Sequence, residues 1–133
     1  MVLDVYRKRF VKLTPEEEVR QRFARYLVEE KGYPASLLMT EYALEVNKLS
    51  RRCDILVHKP AGVPVLLVEC KAPEVAISQA TFDQVARYNM AFRVRYLVVT
   101  NGLKHYACLL NYETGKINFL REIPTYDSLV VNA

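Results

Sequence analysis

Three charged residues near the middle of the chain have the types and the spacing that suit metal-dependent hydrolysis. Asp54 begins one strand-like segment, and Glu69 and Lys71 end the next one, after a turn rich in Pro and Gly. Because side chains alternate along a strand, Glu69 and Lys71 lie on one face. In an antiparallel hairpin the start of the first strand lies beside the end of the second, which brings Asp54 next to Glu69.

Two carboxylates held this close repel each other unless a cation lies between them. Hard oxygen ligands, with a backbone carbonyl nearby and open water positions, suit Mg²⁺ or Mn²⁺. The adjacent Lys71 would then orient or acidify a metal-bound water, or stabilise negative charge on a phosphate under attack. The alternative interpretation of Asp54, Glu69 and Lys71 is an ordinary cross-strand salt bridge at a sheet edge.

The first element that positions these residues is a helix with clear start signals. Thr14 is a typical N-cap, Pro15 suits the first helical position, and Glu17 is placed to close a capping box onto Thr14. Apolar residues then recur at helical spacing as far as Gly32, the expected stop. These apolar positions are Val19, Phe23, Tyr26 and Leu27.

The remaining elements predict a mixed sheet. A second helix, capped by Ser78, separates two groups of strand-like segments, and a strand–helix–strand passage requires parallel pairing. We therefore expect an α/β fold with helices flanking a central mixed β-sheet, in the order α-β-β-β-α-β-β-β. The predicted strands are Tyr42 to Asn47, Cys53 to His58, Val65 to Lys71, Arg95 to Thr100, His105 to Leu110 and Ile117 to Leu120.

Composition limits the class of protein. The chain has 133 residues, of which 51% are hydrophobic and 26% charged, enough for one domain over residues 14–133 behind a basic and aromatic arm at 1–13. No apolar run reaches the roughly 20 residues that a membrane helix needs, and no signal sequence is visible. We therefore expect a cytoplasmic protein without membrane contact. The three cysteines, an odd number within apolar runs, do not indicate a disulfide framework.

Positive charge favours an anionic partner. The net charge is +4, and basic residues cluster where elements begin or end. The residues predicted to contact the phosphates of a nucleic acid are Lys48, Arg51, Arg52 and Arg20. A solvated surface is the alternative interpretation of each.

Five sequence blocks in a fixed order carry a family resemblance. They are Thr14 to Glu17 with Val19 to Gln21, Arg52 to Val57, Val68 to Pro73, Gln84 with Tyr88, and Val99 to Gly102. Together they resemble the amino-terminal nuclease domain of type I restriction enzyme R subunits, within the PD-(D/E)XK superfamily. The resemblance covers Leu13 to Tyr106 and implies a restriction endonuclease-like fold that cleaves DNA with Mg²⁺ or Mn²⁺.

The resemblance also assigns roles to residues. It implies that Asp54 and Glu69 are metal ligands, that the Cys70 carbonyl is a further ligand, and that Lys71 is the catalytic lysine. Cys53 stands where the superfamily has the proline of its Pro-Asp pair, a departure that is frequent in such folds. Among the catalytic residues the resemblance also includes Gln84 and Tyr88, which match a Gln-x-x-x-Tyr element near the active site of the family.

Helical geometry selects the glutamate that completes the site. At about 100° per residue, Glu16 falls within the stripe that contains Val19, whereas Glu17 and Glu18 point away from it. We therefore predict that Glu16 is catalytic, faces the sheet and touches the metal shell through water, with Glu17 as second choice. Arg20, one turn after Glu16, would brace it through an ion pair.

The predicted function is a stand-alone Mg²⁺-dependent DNA endonuclease. DNA is the predicted partner, subunits of a restriction-modification complex are a second class of partner, and a homodimer would let two sites cut both strands. The chain has neither the length nor the Gly-x-x-x-x-Gly-Lys phosphate loop of an ATP-driven translocase. The alternative is a catalytically silent nuclease-fold module that binds nucleic acid or a restriction-complex partner.

Overall fold

The computed structural model describes most of the chain. Its described residues are 2–4, 9–11, 14–46, 49–90 and 93–132, and its described side chains are those of 14–40, 54–87, 89–90 and 93–130. Lys48 lies outside the described residues, and the side chains of Arg51, Arg52 and Tyr88 lie outside the described side chains. Within these ranges no helix combines the length and the apolar character needed to span a membrane.

Helix α1 (Pro15–Lys31) begins and ends where the sequence predicts. The Thr14 hydroxyl oxygen accepts a hydrogen bond of 3.1 Å from the Glu17 backbone N–H, and Gly32 ends the helix at φ 73°. A left-handed φ of this size is the conformation that glycine adopts without a steric penalty. A short 3-10 turn at Ala35–Leu37 then leads into the sheet.

The described residues form a six-stranded sheet in which the strands follow chain order. A separate hairpin of β1 (Val2–Asp4) and β2 (Arg9–Val11) precedes it. The strands of the sheet are β3 (Leu38–Val46), β4 (Leu49–His58), β5 (Pro64–Cys70), β6 (Tyr96–Thr100), β7 (His105–Leu110) and β8 (Ile117–Leu120). All neighbours are antiparallel except β5 and β6, which are parallel and joined through α2 (Gln79–Met90). The predicted mixed sheet and its element order are confirmed.

The main differences between the structure and the prediction concern two strands, the amino-terminal segment and a third helix. Strands β3 and β4 both begin four residues earlier than expected, because each supplies the hydrogen-bonding partner that extends the other. The hairpin β1–β2 lies in the segment predicted to be an arm. Helix α3 (Tyr126–Asn132) was not predicted, since seven residues are too few to show helical periodicity.

Buried side chains form two layers, one on each face of the sheet. Helices α1 and α3 cover one face and α2 covers the other. The first layer includes Val19, Phe23, Leu27, Ile55, Val57, Val68, Val98 and Leu129. The second includes Leu56, Leu67, Phe82, Ala86, Leu97, Val99 and Cys108. Because helices cover both faces of the sheet, its polar residues reach solvent at the ends of the strands.

Candidate nuclease site

The register between β4 and β5 brings two carboxylates together. Ile55 pairs with Val68 at the end of this ladder, and Asp54 and Glu69 are the next residues of the two strands. The Cys70 N–H donates a hydrogen bond of 2.7 Å to Asp54 Oδ2, which fixes the Asp54 carboxylate against the end of β5. Glu69 is 9% exposed. Asp54 and Glu69 therefore lie at the same end of the β4–β5 ladder, and their pairing around a metal ion stays a prediction.

Lys71 follows directly after β5 (Pro64–Cys70), so the predicted strand, Val65 to Lys71, is shifted by one residue along the chain. The Lys71 backbone N–H donates a hydrogen bond of 2.8 Å to the carbonyl oxygen of Thr100, the last residue of β6. Its side chain is half-buried. The parallel neighbour β6 therefore fixes the backbone that carries the lysine, which sequence alternation alone did not indicate.

Arg20 joins helix α1 to the same edge. One guanidinium nitrogen, Nη2, lies 2.8 Å from Asp54 Oδ1 and 3.5 Å from Glu16 Oε1. The other, Nη1, forms an ion pair with the carboxylate of Glu17. Arg20 is only 5% exposed, so water screens its contacts with Glu17 and Asp54 only weakly, whereas the exposed Glu16 is more strongly screened. The predicted ion pair between Glu16 and Arg20 is present, although a second glutamate competes for the same guanidinium.

The helical-geometry prediction for the α1 glutamates is wrong about which one is buried. Glu17 is 5% exposed, whereas Glu16 is exposed. The buried stripe is wider than predicted because it includes Arg20 and Ala24. Glu17 precedes Arg20 by three residues and Ala24 by seven, so it belongs to this stripe. Ala24 is fully buried, so it also belongs to the buried stripe of α1, which the spacing of the larger apolar residues alone does not show.

The burial of Arg20 also argues against its predicted contact with DNA. Its guanidinium is held by carboxylates on one helix and one strand, beneath the surface that a phosphate would reach. An exposed neighbour shows the contrast, because the side chain of Arg22 is 75% exposed and pairs with Glu18 of the same helix, at 2.6 Å. We therefore reassign Arg20 from DNA binding to the charge balance of the site.

The thiol of Cys70 reports how closely the charged groups gather. Burial raises the pKa of Cys70 well above its usual value of 9.0, and the charges of Asp54, Glu69 and Glu16 raise it further, while Arg20 lowers it. These four charged residues therefore all act on one buried atom at the end of β5. The thiol stays protonated and neutral at physiological pH.

Gln84 lies on the surface of α2. Gln84 is exposed on α2, in a shallow depression that it shares with Ala80, Asp83 and Arg87. Its predicted role beside the active site, with that of Tyr88, stays a prediction. The DNA contacts of Lys48, Arg51 and Arg52 also stay predictions. Of these three residues, the structure describes only the backbone of the two arginines, which lie on β4.

The donor atoms at this edge fit Mg²⁺ or Mn²⁺ in kind. Within the described part of the chain, no three His, Cys, Asp or Glu side chains are placed to hold a metal ion by themselves. Mg²⁺ does not require such a set, because it commonly binds through one or two carboxylates with water and substrate phosphate. Asp54, Glu69 and the Cys70 carbonyl supply oxygen ligands of that kind. These three residues are the ones that could hold the ion.

A groove beside α1 was not predicted from the sequence. It has a volume of about 320 Å³ and lies between α1 and the turn that joins β6 to β7. Its walls include the rings of Phe23, Tyr26 and His105. The centre of the His105 ring lies 5.2 Å from that of Phe23 and 6.0 Å from that of Tyr26. Leu103, at the rim, is 75% exposed. These residues come from distant segments, so no local motif could have indicated the groove.

Known structures share this fold. A provisionally assigned HsdR subunit fragment of a type I restriction enzyme from Vibrio vulnificus matches with a TM-score of 0.61 and 21% identity, over 90% of this chain and 25% of that one. A provisionally assigned nuclease of DUF820 from Anabaena variabilis matches with a TM-score of 0.55 and 10% identity, over 93% of this chain and 79% of that one. The α/β fold is therefore restriction endonuclease-like, as predicted.

The family follows from the sequence profile. The chain spans about a quarter of the Vibrio chain. No protein of curated function matches it. The profile described as type I restriction enzyme R protein N terminus (HSDR_N) matches residues 15–124, which include both α1 and the Asp54, Glu69 and Lys71 edge. The chain therefore belongs to the family of type I restriction enzyme R protein N-terminal domains.

Proposed function

We propose that the chain is a Mg²⁺-dependent DNA endonuclease. The observation that supports this most is the convergence of Asp54 and Glu69 at the end of β5, directly before Lys71, in a chain of this family. Each residue alone is common at a strand end. Their convergence at one edge of a restriction endonuclease-like sheet gives the oxygen ligands and the cation that phosphodiester hydrolysis requires.

The residues of the chain have separate roles in this proposal. Asp54 and Glu69 would hold the ion, with the Cys70 carbonyl as a third oxygen ligand. A bound divalent ion supplies Lewis acidity toward the phosphate and lowers the pKa of a bound water. The Lys71 ammonium would stabilise the negative charge that develops on the phosphate oxygens. The Cys70 amide keeps the Asp54 carboxylate oriented before substrate arrives.

The proposed partner is DNA, held mainly through its phosphates. Lys48, Arg51 and Arg52 precede Asp54 along the chain and are the proposed phosphate contacts. Subunits of a restriction-modification complex are the second proposed class of partner, in keeping with the family. Pairing of two copies would place two sites on one duplex and allow both strands to be cut.

Nicking of supercoiled plasmid tests the proposal. We expect the wild-type chain to nick DNA with Mg²⁺ or Mn²⁺ and to stop in EDTA, and Glu69→Gln to lose at least about 100-fold in rate. The control is Glu113→Gln, which changes an exposed glutamate in the turn before β8 and should retain wild-type activity. DNA binding without any metal-dependent nicking would contradict the proposal and support the silent binding module instead.

A further inference from the structure

Arg20 contacts three carboxylates, those of Asp54, Glu16 and Glu17. Glu69 lies at the same end of β5, and its charge acts on the Cys70 thiol together with those of Asp54 and Glu16. Glu17, Arg20 and Glu69 are buried, so the charges at this edge act on one another with little screening.

Arg20 already occupies part of the place that a cation at Asp54 would use. Its Nη2 lies 2.8 Å from Asp54 Oδ1, and the Cys70 N–H takes the other carboxylate oxygen at 2.7 Å. A divalent ion bound to Asp54 would therefore sit close to a guanidinium charge. Like charges at such distances oppose each other strongly when they are buried.

We propose that Arg20 is a resident counter-cation of the site, which neutralises Asp54 and Glu17 in the metal-free protein and competes with the divalent cation for Asp54. Arg20 is thus a positioning residue that sets metal affinity. The inference rests on the proposed function, because it takes the Asp54 edge as the place where the metal binds. It adds a regulatory property of that site, namely that metal uptake is opposed by a side chain on α1.

The shape of its guanidinium explains how Arg20 neutralises Asp54 and Glu17 at the same time. Its two terminal nitrogens contact carboxylates on different elements, Glu17 on α1 and Asp54 on β4. The planar guanidinium can bridge two such groups in a fixed geometry, which the single ammonium of lysine cannot do. A substitution of Arg20 that keeps the positive charge but loses the planar shape should therefore affect metal binding differently from one that removes the charge.

Calorimetric titration with Mn²⁺ separates these effects. We expect Arg20→Gln to bind Mn²⁺ at least about tenfold more tightly than wild type, because the competing charge is gone. Arg20→Lys keeps the charge and should stay within about threefold of wild type. The matched control is Arg22→Gln, which changes an exposed arginine two residues along the same helix and should bind Mn²⁺ as wild type does. Asp54→Asn should abolish the titration signal.

Other results would overturn the inference. Equal or weaker Mn²⁺ binding by Arg20→Gln, with normal binding by wild type, would refute competition and leave the proposed function intact. Equal tightening in Arg20→Lys would show that loosened packing, not charge, is responsible. Absence of Mn²⁺ binding in every variant would overturn both proposals.

A variant that cannot fold without metal still gives a result. If Arg20→Gln is unfolded in EDTA, circular dichroism during the Mn²⁺ titration follows its refolding. Refolding at Mn²⁺ concentrations below the wild-type Kd would support the proposal, because the ion then replaces the guanidinium. A chain that stays unfolded at saturating Mn²⁺ would refute it.

Discussion

The amide nitrogen of Cys70 lies 2.7 Å from Asp54 Oδ2, so the last residue of β5 fixes the carboxylate that β4 presents. With Arg20 on the other oxygen, Asp54 is oriented by one group from the sheet and one from α1. Both contacts fix the Asp54 carboxylate in the metal-free protein, and the bond from the Cys70 amide is the one that would remain when a cation replaces Arg20. The geometry of the candidate site therefore depends on how α1 packs on the sheet.

Asp54 should contribute to stability as well as to activity. Asp54→Asn removes a buried charge partner of Arg20 and weakens the bond from the Cys70 amide, so we expect a loss of about 1–3 kcal/mol in the free energy of unfolding. Urea denaturation at pH 7 in EDTA measures it. Asp83→Asn, which changes a carboxylate bonded to an exposed glutamine of α2, should cost less than about 0.5 kcal/mol. Equal costs for the two variants would show that the Asp54 contacts do not stabilise the fold.

Lys71 should affect activity without affecting stability. Its backbone bond to Thr100 survives substitution, so Lys71→Met should keep the free energy of unfolding within about 0.5 kcal/mol while nicking falls at least about 100-fold. Lys59→Met is the control, because Lys59 is also half-buried but lies in the turn between β4 and β5, at their opposite ends. Nicking by Lys71→Met at the wild-type rate would remove this lysine from the mechanism.

Two glycines with the same φ of +88° predict different costs for alanine. A Cβ at Gly102 would lie 3.2 Å from Val19 Cγ2, whereas a Cβ at Gly62 would have no atom within 4 Å. We expect Gly62→Ala to lose about 1 kcal/mol from backbone strain and Gly102→Ala about 1 kcal/mol more. Thermal or urea unfolding measures both.

A double mutant identifies the source of that extra cost. Val19→Ala removes the atom that the new Cβ would meet, so Gly102→Ala should cost less in the Val19→Ala background than in wild type. Additive costs would mean that the turn between β6 and β7 relaxes away from α1 instead.

His105 should make the fold less stable in acid. Its ring stacks on Tyr26, and its Nδ1 lies 2.6 Å from the Thr100 hydroxyl oxygen. Burial lowers the pKa of His105 below 6.5. The unfolded chain therefore binds the proton more readily, and stability present above about pH 6.5 is lost as pH falls through the lower folded value.

The variant His105→Gln isolates the loss of stability that protonation of this ring causes. Because the ring is partly open to solvent, the loss should be less than about 1 kcal/mol, and His105→Gln should show a smaller change in Tm between pH 7.5 and about 5 than wild type. A stronger acid sensitivity in His105→Gln would contradict the assignment.

Local signals were sufficient for the elements that position the site. Thr14, Pro15 and Gly32 determined α1 because capping is a property of a few adjacent residues. Strand alternation and the turn before Pro64 placed Asp54 and Glu69 at the same end of the β4–β5 hairpin. The confirmed features therefore depend on short stretches of chain.

Features that depend on tertiary contacts were missed. Glu17 is buried because it pairs with Arg20. Arg20 in turn is held against the sheet by Asp54, which lies 34 residues further along the chain. The groove likewise joins α1 to the turn at Gly102, and α3 is too short for a periodic pattern. Spacing within one helix cannot report a partner on a strand, so an arginine expected at the surface is instead part of the site.

The position of Mn²⁺ in crystals of the chain soaked with the ion tests the central claim most directly. Anomalous scattering locates Mn²⁺ without reference to the expected ligands. The proposed nuclease site predicts a single strong peak bound by Asp54, Glu69 and the Cys70 carbonyl oxygen, with the Arg20 guanidinium moved away from Asp54 Oδ1. Saturating Mn²⁺ with no peak at this edge, and Arg20 still bound to Asp54, would contradict it.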